Sequence, residues 1–149
     1  MNTKQNLIDV YKQLSVDEQL IRLLDERAVG QTDEALGILA KVLVPMDKVF
    51  DLDTEPINRI CMYLGNRTPQ RNSYFSHDQD FVFDIYVHYT FEELDLRLSL
   101  IRDTLDKLIF NEKITGAGKV HFVMGHIITN APTRWIGYKM VYKFIGLED

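Results

Sequence analysis

Residues 81–90, FVFDIYVHYT, run without a break into residues 91–110, FEELDLRLSLIRDTLDKLIF, and the change of periodicity across that junction decides the fold. In the first stretch Phe81, Phe83, Ile85 and Val87 alternate with Val82, Asp84, Tyr86 and His88. That period of two puts a wholly apolar row on one side of a strand. In the second stretch Leu94, Leu98, Ile101, Leu105 and Leu108 recur at helical spacing, with Arg97, Arg102, Asp103, Asp106 and Lys107 on the other side. Thr90 and Glu93 have the spacing of a capping box that starts the helix. The apolar strand row and the apolar helix stripe are each other's nearest partner, so a sheet packed on one long amphipathic helix is expected.

Downstream, the glycines of residues 111–118 (NEKITGAG) allow a tight return. Residues 119–129 then read as a strand with Val120, Phe122 and Met124 on one face and a bulge at Gly125. Residues 130–134 (NAPTR) signal a turn, and in the last strand, 135–145, Ile136, Tyr138, Met140, Tyr142 and Phe144 share a face. Upstream, residues 57–64 (INRICMYL) read as a strand and residues 65–80 (GNRTPQRNSYFSHDQD) as a long polar loop. Loops beyond about 12 residues inside compact domains are usually functional or mobile.

The first 50 residues read as helical. Leu7, Val10, Tyr11 and Leu14 share a helical face, and Ser15 with Glu18 suggests a cap before Leu20, Leu23 and Leu24. Asp33 is a candidate N-cap for a helix toward Val44 that Pro45 stops, although residues 42–44 could extend instead. Residues 47–56 read as an exposed acidic connection. The expected fold is α+β, mainly an antiparallel sheet on one long helix with additional N-terminal helices. It forms a single domain over residues 1–149, with a helical segment at 1–50 and a core module at 57–147.

The chain has 149 residues, 46% of them hydrophobic and 26% charged, which is enough for one domain with a real core. A formal net charge of −5 argues against a protein whose main work is gripping nucleic-acid phosphates. Cys61 is the single cysteine, so no intramolecular disulfide can form, and its apolar neighbours point to a buried free thiol. No apolar signal core and no stretch of about 20 apolar residues is present, which reads as a soluble cytoplasmic protein without a membrane partner.

No residue pattern points to catalysis, a cofactor or a metal. His121 and His126 lack companion ligands at metal spacing. His77, His88, Asp78, Asp80 and Asp84 cluster in sequence, yet alternating Asp on a strand reads first as a solvated face. Ser73, Ser76 and Ser99 lack a nucleophile turn, and no Lys-Ser or Lys-Thr pair follows Gly116 and Gly118 to build a phosphate cradle. Arg59, Arg67 and Arg71, with Tyr74 and Phe75, are instead the residue types that anchor protein interfaces, and they are the candidate interface residues.

Four segments carry a family resemblance: residues 59–67 (RICMYLGNR), residues 81–88 (FVFDIYVH), the helix with Asp95 and Arg97, and the pair 114–120 (ITGAGKV) and 136–144 (IGYKMVYKF). Together they resemble the small neck and tail-completion proteins of long-tailed bacteriophages infecting Gram-positive bacteria, over roughly residues 57–147. The resemblance implies a tail terminator with no catalytic residues and no cofactor. Such a subunit assembles as a homo-oligomeric ring, typically a hexamer, that caps the tail tube protein and meets the head-completion or connector protein. DNA passes its channel without specific binding, and an acidic lining would repel phosphate. The expected location is the virion neck, after assembly in the host cytoplasm. Alternatives from other classes are a small metal-dependent nuclease using Asp78, Asp80, Asp84 and a histidine, and another neck, adaptor or minor capsid protein. An exposed sheet edge in the C-terminal half would serve as the template for pairing with a neighbouring chain.

Overall fold

The computed structural model describes residues 3–52, 55–69, 76–110 and 119–148. Three helices open the chain: α1 (Thr3–Ser15), α2 (Glu18–Leu24) and, after a short 3-10 turn at Glu26–Ala28, α3 (Asp33–Val42). Helices α2 and α3 start where side chains can satisfy free backbone N–H groups, two residues and one residue away from the expected caps. Asp17, not Ser15, accepts from the Leu20 N–H at 2.9 Å, and Thr32, not Asp33, accepts from Ala35 at 3.1 Å. Beyond Val42 the chain extends into β1 (Leu43–Val44), the alternative its β-branched residues allowed.

The remaining strands are β2 (Arg59–Pro69), β3 (Ser76–His88), β4 (Lys119–Ile128) and β5 (Trp135–Glu148). They form one mixed five-stranded sheet in the order β1-β2-β3-β5-β4, in which only β1 and β2 run parallel. The register explains the core. Phe83 lies between Met62 and Met140, Ile85 between Ile60 and Tyr138, and Phe81 between Leu64 and Tyr142. The apolar row of β3 is thus flanked by apolar rows on both neighbours. Against it pack Ile101, Leu105 and Ile109, together with Val10, Leu14, Leu20 and Leu24. The helix layer is shared between the C-terminal helix and the N-terminal ones, and the Arg97 guanidinium joins them by donating to the Leu23 carbonyl at 2.8 Å.

Four expectations are corrected. The single helix over 91–110 is two helices, α4 (Tyr89–Asp95) and α5 (Arg97–Ile109), separated by Leu96 in the left-handed region (φ 54°, ψ 50°). The Leu96 N–H still reaches the Glu92 carbonyl at 3.0 Å, and the Glu92 carboxylate accepts from the Leu98 N–H at 2.9 Å. A Glu that caps the next helix and a left-handed residue that ends the previous one produce the break without glycine or proline. Leu94 is exposed as a result. The cap of α4 is also different: His88 Nδ1 accepts from the Thr90 N–H at 3.1 Å.

The long loop at 65–80 is mostly strand, because Arg67, Thr68 and Pro69 pair with Gln79, Asp78 and His77. The β4 bulge falls between Phe122 and Met124, not at Gly125, and it turns Met124 onto the face opposite Phe122. The glycine-rich return at 111–118 lies outside the described residues.

Candidate functional site

Arg59, expected at an interface, is instead 1% exposed and structural. Its guanidinium grips Asp51 with two bonds, Nη1 to Oδ1 at 2.6 Å and Nη2 to Oδ2 at 3.3 Å. Nε donates to the Lys41 carbonyl at 2.6 Å and Nη1 to the Lys48 carbonyl at 2.9 Å. These bonds fasten the end of α3 and the irregular segment after β1 to the sheet, and the bond from Arg59 holds the Asp51 carboxyl below the usual carboxylate range. Of the other interface candidates, Arg67 is exposed on β2, while Arg71, Tyr74 and Phe75 lie outside the described residues.

The sheet face away from α5 carries a closed polar cluster. Asp84 on β3 stands in register with Cys61 on β2 and Lys139 on β5. Tyr63 donates its hydroxyl to Asp84 Oδ2 at 2.6 Å, and Lys139 Nζ donates both to the Tyr63 oxygen at 2.6 Å and to Asp84 Oδ1 at 2.9 Å. Burial, reinforced by the hydrogen bond to Asp84, pushes the Tyr63 hydroxyl up, so this phenol keeps its proton at neutral pH. Burial likewise pushes the Cys61 thiol up to about 11, far from a reactive thiolate. Asp84 is therefore occupied in holding β2, β3 and β5 together. Among the described residues no group of three or more His, Cys, Asp and Glu is placed to hold a metal ion.

The open chemistry sits at the edge formed by β4. Phe122, Val123, Met124 and Ile127 are 49%, 45%, 45% and 69% exposed on this outermost strand. Beside it, as a wall, stands the row Arg102, Asp106 and Phe110 at the flank of α5, which meets Tyr138 and Tyr142 of β5. Tyr142 links floor to wall, donating to Asp106 and meeting the rings of Phe110 and Phe122 edge-on at 5.7 and 5.6 Å. The Tyr138 ring crosses Gly125 so closely that a Cβ there would lie 2.9 Å from it. Arg102 stacks on that ring at 4.1 Å, and its buried Nε has no hydrogen-bond partner among the described residues. The result is an apolar edge, with Phe122 and Ile127 on the α5 side and Met124 on the opposite face, suited to another protein surface. Sequence periodicity put Val120, Phe122 and Met124 on one face, and nothing local reveals that β4 is outermost or that the bulge splits them.

A second apolar exposure lies at the opposite edge, where Met46 and Phe50 follow β1 and are 53% and 80% exposed. Comparison with known proteins places the chain. It is 33% identical over 122 residues to the SPbeta prophage-derived protein YomW of Bacillus subtilis (strain 168), a match spanning 80% of this chain and 73% of that protein. The YomW family model matches residues 17–144, from α2 to the end of the β5 core row, so the chain belongs to the YomW family.

Proposed function

We propose that this chain is a structural subunit of a bacteriophage particle, a tail terminator that assembles as a hexameric ring, caps the finished tail tube and joins it to the head connector. The observation that carries the reading is the β4 edge, whose four large apolar side chains stand open to solvent on a strand with no outer neighbour among the described residues. An edge of that kind aggregates unless it has a partner, and assembly supplies one. The prophage origin of the YomW relative supports a role in a phage, and the resemblance of residues 57–147 to tail-completion proteins supports the neck. Tyr63, Asp84 and Lys139 on the far face of the sheet are engaged with one another, which fits a subunit that works by shape. DNA would pass the ring without specific contacts, in keeping with a net charge of −5.

The test is a phage deleted for this gene product, imaged by electron microscopy. Tails of aberrant length, unattached to full heads, are expected. Tails of normal length joined to full heads would overturn the reading.

A further inference from the structure

The sheet ends in two open edges of different kinds. At one end β4, paired with β5 on its inner side, has no strand on its outer side among the described residues, over ten residues or about 33 Å. At the other end the two-residue β1 pairs with β2 only at Ile60 and Cys61, so among the described residues no strand lies outside residues 62–66 of β2. The edges stand four strand spacings apart, about 19 Å. Their directions are opposed: β5 runs with β2, since both are antiparallel to β3, and β4 runs against β5. Two copies laid side by side in the same orientation would therefore bring β4 of one against the β1–β2 edge of the next in antiparallel fashion, the better-bonded arrangement.

We infer that β4 of one copy docks head to tail on the β1–β2 edge of a second copy, its exposed Phe122, Val123, Met124 and Ile127 meeting Met46 and Phe50. The inference rests on the self-assembling reading above and names the two surfaces that would make the ring. Large exposed apolar side chains occur at both edges, which gives each a complementary surface. Phe110 and the four β4 residues, 45–69% exposed, together offer roughly 500 Å² of apolar area. With the strand backbones added, this approaches the ~800 Å² per partner of a specific interface. A bulge commonly protects an edge, together with lysine or proline. Here the residue that the bulge leaves unpaired is Val123, apolar and 45% exposed, which invites contact. A two-fold pairing of β4 with β4 would leave Met46 and Phe50 uncovered. Head-to-tail pairing covers both edges and closes into a ring if the rotations sum to a full turn.

Two variants of the full chain separate these arrangements. Met124→Asp with Ile127→Asp blocks the β4 edge, and Met46→Glu with Phe50→Glu blocks the other; all four side chains are exposed, so both variants should melt like the parent. Light-scattering mass at several hundred micromolar is the readout. The parent should exceed 17.4 kDa, each variant alone should stay at 17.4 kDa, and an equimolar mixture should form a species of about twice that mass and nothing larger, since one good contact remains. Self-association of the Met46/Phe50 variant alone would show β4 pairing with β4 and overturn the proposal, as would a parent that stays at 17.4 kDa. If the mixing result holds while phage lacking the protein build normal tails, the interface stands and the tail reading alone falls.

Discussion

Arg59 and Asp51 meet fork to fork, with the arginine 1% exposed and the carboxylate at the rim of the sheet. A buried guanidinium tolerates no vacancy, because losing its counter-ion leaves a charge out of water with only carbonyl partners.

Asp51→Ala should therefore cost about 3 kcal/mol at neutral pH, read from chemical denaturation. The pH dependence has a definite sign. Arg59 lowers the folded-state pKa of Asp51 below its unfolded value. The stabilisation is thus fully present above an unfolded carboxylate pKa of about 4 and is lost as pH falls through the lower folded value. The gap between parent and variant should shrink toward zero in acid. A gap of equal size at pH 7 and in acid would mean that the carboxylate charge does not hold Arg59.

Much of the core was legible because it follows from alternation alone. Phe81, Phe83, Ile85 and Val87 on β3 and Met140, Tyr142 and Phe144 on β5 are buried as their periodicity implied. The misreadings have long-range causes. Arg59 looks like an interface anchor until Asp51 and the Lys48 carbonyl, eight and eleven residues away, close around it. Phe122 shares a face with Met124 by alternation until the bulge separates them, and only the strand order shows that β4 is outermost. Leu94 continues the stripe of α5 in sequence, yet the turn at Leu96 carries it away from the sheet.

That difference can be measured. Leu105 is fully buried with Phe83, Ile85 and Met140 in one apolar cluster, so Leu105→Ala should cost about 2–5 kcal/mol. Leu94→Ala should stay within about 0.5 kcal/mol of the parent, since Leu94 is 75% exposed. Equal losses for the two would restore the single continuous helix.

Leu96 allows a sharper test of the same break. In a helix interior alanine is more stable than glycine by about 1 kcal/mol. At φ 54° the order inverts, because a Cβ in the left-handed region costs about 1 kcal/mol or more that glycine avoids. Leu96→Gly should thus melt above Leu96→Ala, and the reverse order would place residue 96 inside a regular helix.

The residues between Pro69 and Ser76 give the last prediction. Because β2 and β3 stay paired out to Pro69 and His77, removing residues 68–78 would delete strand and endanger the fold. Point changes avoid that problem. Arg71, Tyr74 and Phe75 are of the types that dominate interface energetics, and they fall in the six-residue connection beyond the last paired positions. If these side chains serve an interface and not the fold, a chain carrying Arg71→Ser, Tyr74→Ser and Phe75→Ser should keep the parent's melting temperature within about 2 °C. It should still self-associate through its sheet edges, yet fail to complete tails when it replaces the native protein in a phage infection. The two readouts separate the roles: lost self-association would assign these residues to the contact between copies. Normal tails with normal self-association would remove them from any interface.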